Sequence, residues 1–235
     1  DTSRGLGDVY KRQEWGSIIS LVACSYWIFM LTPIETSQGF SQKIMYLHVP
    51  TVIVTYLAFF IVFAFSIAYL WKRDLMFDRI AKSSAEIGLL FCALVLISGA
   101  VWGRPTWGTY WVWDARLTTT LLLFLIFMGY FLLRMSTEDR DKESRLAAVI
   151  GIIGFLDIPI IHKSVEWWRT LHQPTTLFKT EDGMAKPSIP DELLYPLLAT
   201  MMAMLLFYLF LLQLRYRMET SQDELKQLMA QDRMD

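Results

Sequence analysis

Six stretches of this chain are apolar over lengths that match a bilayer, and polar or charged segments separate them. A spanning helix needs about 20 mostly apolar residues, within a range of about 17 to 25. Runs at about 15–31, 48–70, 85–101, 117–133, 146–161 and 193–212 come near that length. Thr32-Pro33 stops the first and Trp71-Lys72-Arg73 follows the second, after which 74–84 reads as a short charged turn. The densely charged stretch 134–145 is expected in water, and the fifth run carries Asp157 and Pro159 near its end. The pattern predicts an all-α integral membrane protein of about six transmembrane helices, forming one membrane domain over 14–215. Beyond it, 216–235 is a polar tail in which Ser221-x-x-Glu224, with Leu225 and Leu228 at helical spacing, predicts a solvated helix. Residues 1–13 carry no initiator Met and read as polar sequence unrelated to the rest of the chain, a fragment end or an artefact, and are set aside.

Composition supports the membrane reading, since 54% hydrophobic residues over 235 positions is too apolar for an ordinary soluble domain. A net charge of -1 argues against nucleic acid, which calls for basic residues clustered on one face. The sign distribution says more. An even number of spans puts both termini on one side, and after residue 13 that side holds twelve Lys and Arg against seven on the other. The positive-inside bias makes both termini cytoplasmic. The segments 32–47 and 162–192 and the tryptophan-rich stretch between the third and fourth runs then face a periplasm. Loops as long as 162–192 are usually functional or disordered, and Pro174, Gly183, Pro187 and Pro190 forbid one continuous helix there.

That tryptophan-rich stretch, Trp102-Gly103-Arg104-Pro105-Thr106-Trp107-Gly108-Thr109-Tyr110-Trp111-Val112-Trp113-Asp114, holds the densest chemistry. Interfacial tryptophans anchor helices, which accounts for Trp15, Trp27 and Trp71. Four in one connection exceed that need. The glycines and the proline are expected to break any helix here, leaving Trp102, Trp107, Trp111 and Trp113 as an irregular platform for a flat, apolar, polarizable ligand. Asp114 precedes Ala115-Arg116-Leu117 as the cap of the fourth span. Arg104 and Arg116 flank the rings, where their forks suit ligand carboxylates or lipid headgroups equally.

The three histidines all fall at outward ends of spans. His48 opens the second, His162 closes the fifth and His172 follows ten residues later. Singly, each is an interfacial histidine satisfied by water. Together, His48 and His172 come from distant segments to the same face as the tryptophans, as axial ligation of a six-coordinate haem iron requires. His162 suits an interfacial role. Cys24 and Cys92 lie in apolar runs without Cys-x-x-Cys-His, so no covalent haem attachment is encoded. The absence of a Gly-rich Lys-Ser/Thr phosphate loop excludes ATP hydrolysis by that means. No triad or metalloprotease pattern stands out, so the handling of a cofactor fits better than a conventional enzyme.

Three motifs carry a resemblance. Trp102-Gly103 and Trp107-Gly108 with Trp111-Val112-Trp113-Asp114-Ala115-Arg116-Leu117-Thr118, Tyr46-Leu47-His48-Val49-Pro50, and Ser164-Val165-Glu166-Trp167-Trp168-Arg169-Thr170-Leu171-His172-Gln173 resemble the tryptophan-motif haem-handling proteins of cytochrome c biogenesis, in the haem exporter protein C (CcmC) branch. The likeness runs from Trp15 to the sixth span. Tyr110 stands where a tryptophan is common, and residues 1–13 match nothing in the family. The resemblance implies a multi-pass inner-membrane protein that binds haem b on the periplasmic face and delivers it to the haem chaperone CcmE. It also implies an ABC-type complex with CcmA, CcmB and CcmD, the ATPase being a separate subunit, and it maps His48 and His172 onto the axial ligands. The competing classes are a cofactor-free permease or scaffold subunit of a transporter, and a membrane cytochrome. Few charges lie deep in the spans, which speaks against the permease, and the histidines cluster at one boundary, which speaks against the cytochrome.

Overall fold

Five of the six apolar runs lie inside α-helices that outlast them, because helix ends are set by capping geometry rather than by where hydrophobicity stops, and the first run passes from an α-helix into a π turn. The computed structural model describes residues 2–172, 178–181, 184–187 and 189–232. Its helices are α1 (Thr2–Tyr26), α2 (Met45–Lys72), α3 (Leu75–Trp107), α4 (Ala115–Ser136), α5 (Arg140–Trp167) and α6 (Asp191–Asp232). Between α5 and α6, β1 (Phe178–Glu181) and β2 (Met184–Pro187) pair antiparallel, Phe178 opposite Pro187. Six helical segments are long and apolar enough to cross a membrane. The protein is an all-α, multi-pass membrane protein with one small ribbon in its longest connection.

Several boundaries differ from the sequence reading. The expected charged turn over 74–84 is helical from Leu75. Arg73 adopts a left-handed conformation (φ 57°) whose N–H closes α2 on Tyr69 O, and Asp74 caps α3 by accepting from Met76 N–H at 2.8 Å. The tryptophan stretch is not all loop either. Helix α3 passes through Gly103 and Pro105 and stops at Gly108, whose φ of 81° lets its N–H reach Arg104 O at 3.0 Å. A proline in the last turn forfeits only one ladder bond, so left-handed Gly108, not Pro105, ends the helix. His162 is an exposed residue within α5, not its last. The tail over 216–232 continues α6 without a break.

Helix α2 is central, packed against α3, α5 and α6, while α1 lies along α6 at the periphery. Lipid tails are as apolar as leucine, so close van der Waals fit and hydrogen bonds must hold such a bundle. Phe59 of α2 stacks on Phe127 of α4 at 3.8 Å and 17°. Ser84 on α3 bonds to Ala58 O of α2 at 2.7 Å and to the Tyr208 hydroxyl of α6 at 2.8 Å, tying three helices at one point. Gly151 and Gly154 let α5 approach closely: a Cβ at Gly151 would sit 2.8 Å from Val62, and one at Gly154 would sit 2.8 Å from the Phe127 ring. Gly151→Ala is therefore expected to lower stability by about 1–3 kcal/mol, read as an earlier melting transition in detergent.

The end of the bundle away from the tryptophans holds a second unforeseen feature. The charged stretch 134–145, expected in water, contains the buried residues Arg134, Glu143 and Ser144, and Asp78 of the supposed turn is buried with them. Arg134 reaches Asp78 at 2.5 Å, Glu143 at 2.8 Å and the Tyr130 hydroxyl at 2.7 Å, and Ser144 donates to Asp78 at 3.0 Å. Arg140 joins Asp78 to Asp223 of α6, and Lys82 pairs with the buried Glu219 at 2.6 Å. Pairing lets these charges leave water, and it draws the α6 extension into the body of the protein. At the other end Lys43 is also buried. Its ammonium caps Ile28, Phe29 and Thr32 carbonyls at 2.7–3.2 Å, where α1 loosens into a π turn over Trp27–Leu31.

Candidate functional site

The site is assembled from the first turns of α2, the last turns of α3, the segment 108–114 after it, the start of α4, and residues 170–172 after α5. Asp114 organises it. Its Oδ1 accepts the Leu117 N–H at 2.8 Å and caps α4, as expected from the sequence. Its Oδ2 accepts from the Thr170 hydroxyl at 2.6 Å and from His172 Nδ1 at 3.3 Å, while Thr170 Oγ1 receives the His172 backbone N–H at 3.0 Å. One carboxylate thus fixes both a helix start and a histidine 58 residues further along the chain. Burial alone would raise the Asp114 pKa, but the bonds from Leu117, Thr170 and His172 outweigh it and hold the group below the usual carboxylate range.

An ionised carboxylate only accepts, so His172 donates through Nδ1–H and keeps its lone pair on Nε2. Burial lowers the His172 pKa, Asp114 opposes this, and the nearby charge of Arg116 lowers it further; the net shift is downward. The ring is neutral at pH 7, the form in which imidazole ligates a metal. It meets Trp107 edge to face, 4.6 Å between centroids at 65°.

His48 is fixed in the same sense by a different group. Its Nδ1 lies 2.9 Å from Ser98 Oγ, and the ring contacts Trp102 edge to face at 5.7 Å and 69°. His48 and His172 lie close enough to interact electrostatically, and both feel Arg116. The buried Arg116 Nε and Trp111 Nε1 stand without a hydrogen-bond partner among the described residues. The site thus presents two imidazoles, each with Nδ1 engaged, beside two N–H donors that have no partner among the described residues.

Not every expected residue gathers here in the expected way. The tryptophan rings share no flat face: Trp111 and Trp113 meet at 80°, and Trp113 is 77% exposed. Trp102 directs its indole N–H to Gln38 at 3.0 Å. Arg104 is exposed, bonds to the Gly108 carbonyl and lies over the Tyr110 ring at 5.6 Å, so it reinforces the end of α3 while Arg116 alone faces inward. Trp167 and Trp168 are exposed. Sequence reasoning missed Ser98, Thr170 and Gln38. Ser98 stands one helical turn before Trp102, a signal readable only once α3 is known to continue.

Fold and site together define a six-helix membrane protein in which His48 and His172 lie beside Trp102 and Trp107 at one end. A family model described as "CcmC: Heme exporter protein C" matches residues 6–231, and the chain belongs to that family. The match begins inside the segment 1–13 that the sequence reading set apart as unrelated to the family. Among relatives, the heme exporter protein C of Bradyrhizobium diazoefficiens is 40% identical over 82% of this chain and 72% of its own length. The Haemophilus influenzae protein of the same description is 40% identical over 85% and 80%, and that of Escherichia coli K12 is 41% identical over 69% and 67%.

Proposed function

We propose that this chain holds haem b as its cargo at the periplasmic face of the bacterial inner membrane and hands it to the haem chaperone CcmE, within an ABC-type complex with CcmA, CcmB and CcmD. Membership in the heme exporter protein C family gives the coarser statement: a role in haem handling for cytochrome c maturation. The finer reading is supported above all by the two imidazoles, each with Nδ1 engaged in a hydrogen bond, brought from α2 and from the segment after α5. In this reading His48 and His172 ligate the iron. Trp107 and Trp102 flank the two rings, Trp111 and Trp113 line the approach, and Arg116 with the Trp111 N–H receives propionate. Asp114 positions His172 without touching the ligand, and Arg104 keeps the α3 terminus in place. Bound there, the iron would take its nitrogen ligands from these two residues; everything else is the protein's orientation of those donors.

Ligands carried on separate elements can hold together and release one at a time, which suits a protein that must give its cargo away. The orientation follows from the Lys and Arg bias, with both termini and the α6 extension cytoplasmic.

The test is the visible spectrum and extracted haem content of the protein purified from haem-replete membranes in the absence of the chaperone. A low-spin spectrum with two imidazole ligands is expected. A folded protein that stays colourless after added haem would overturn the reading in favour of a cofactor-free permease or scaffold.

A further inference from the structure

A serine inside a membrane helix ordinarily satisfies itself by donating to the carbonyl one turn back, and Ser98 does so, to Leu94 O at 2.6 Å. That bond uses its only proton. The oxygen keeps its lone pairs, and one of them faces His48 Nδ1 at 2.9 Å. Since Ser98 has no second proton to give, the hydrogen between the two atoms belongs to the imidazole. The chain of donors therefore runs His48 Nδ1–H to Ser98 Oγ–H to Leu94 O, and it leaves the His48 lone pair on Nε2 alone.

The next residue completes the seat. At Gly99 a Cβ would lie 3.1 Å from His48 Cε1, closer than ordinary packing tolerates, so the bare glycine backbone is what lets the ring lie against α3. Trp102, one turn further, meets the ring edge to face. Ser98, Gly99 and Trp102 thus fix the ring from the side, from beneath and from the outer edge. Ser98 is itself only 8% exposed, so water has little access to replace its bond to the imidazole.

Resting on the haem reading above, we propose that Ser98 is a positioning residue for haem ligation, fixing the tautomer and rotamer of His48 through a neutral hydroxyl. Groups that accept the far N–H of a ligating histidine raise its basicity and its hold on the metal, and their loss typically lowers metal affinity about 10–100-fold. Without the Ser98 oxygen the ring can rotate and carry its proton on either nitrogen, so only part of the population presents Nε2.

The experiment compares the parent chain, Ser98→Ala, Ser98→Thr and Gly99→Ala, each purified from haem-replete membranes. The readouts are haem per protein, the visible spectrum and the midpoint potential of the bound iron. Ser98→Ala is expected to retain about tenfold less haem, with the potential of the remaining fraction shifted upward because the ligand is less electron-rich. Ser98→Thr keeps the hydroxyl and restores both. Gly99→Ala keeps Ser98 but displaces the ring and so tests the seat alone; if Ser98→Ala does not accumulate in the membrane, Ser98→Cys, whose sulfur is only a weak acceptor, takes its place with the same readouts. A parent protein with a two-imidazole spectrum, together with a Ser98→Ala protein of unchanged haem content and potential, overturns the role of Ser98 and leaves the haem reading standing. Lower haem in Ser98→Ala at an unchanged potential, with Ser98→Thr failing to restore it, marks a merely structural role and also overturns the assignment. A parent protein that binds no haem removes the reading beneath it and the assignment with it.

Discussion

His172→Ala is expected to yield a protein that inserts and folds as the parent does while retaining at least about tenfold less haem, the scale set by losing even a supporting partner of a metal ligand. Insertion should be unaffected because His172 lies outside the spanning helices, and its removal takes nothing from the packed core. Asp114 still caps α4 through Oδ1 and keeps Thr170 on Oδ2, so the scaffold around the deleted ring persists. The loss should therefore appear as haem content and spectrum, with five-coordinate iron in whatever fraction remains, and not as a lower melting temperature. Unchanged haem content at an unchanged spectrum would remove His172 from the ligand set.

Arg134→Met is expected to have the largest effect on stability, at the opposite end of the bundle. The substitution keeps most of the side-chain volume but leaves Asp78 and Glu143 buried without their principal counter-charge. Removing one partner of a buried ion pair costs about 3–5 kcal/mol, because the remaining charge has been taken out of water without compensation. Thermal unfolding in detergent should shift down markedly for Arg134→Met. A triple variant adding Asp78→Asn and Glu143→Gln should recover much of the loss, since amides carry no charge to strand. Equal melting of Arg134→Met and the parent would show that the network is hydrated and contributes little.

The contrast between these two ends explains what the sequence could disclose. Spans were legible because a lipid environment demands long apolar runs, and no soluble architecture imitates six of them. The histidines and Asp114 were legible because so few polar groups compete with them at that boundary. Helix ends were not, because they depend on single left-handed residues, Arg73 and Gly108, whose conformation composition does not announce. The burial of Arg134 was hidden for a different reason. Its partner Asp78 lies 56 residues away, and a charged stretch reads as solvated until folding brings its counter-charges from other segments. The arrangement of the tryptophan rings was not legible either. Tryptophan spacing in the chain says that rings gather, but their mutual angles follow from α3 continuing as helix under Trp102 and Trp107 while Trp111 and Trp113 leave it.

Helix α6 runs for 42 residues from Asp191 to Asp232, about 63 Å at 1.5 Å per residue, roughly twice the thickness of the hydrocarbon it crosses. Its Asp191 end begins just after the β1–β2 ribbon. Its far half carries Glu219 and Asp223, which are pinned to α3 and α5 by the buried charges. Such an element behaves as a lever with its fulcrum in the membrane. A tilt of about 10° about its midpoint swings each tip by about 5 Å in opposite directions, so any body that grips the Asp232 end moves the Asp191 end by a similar amount.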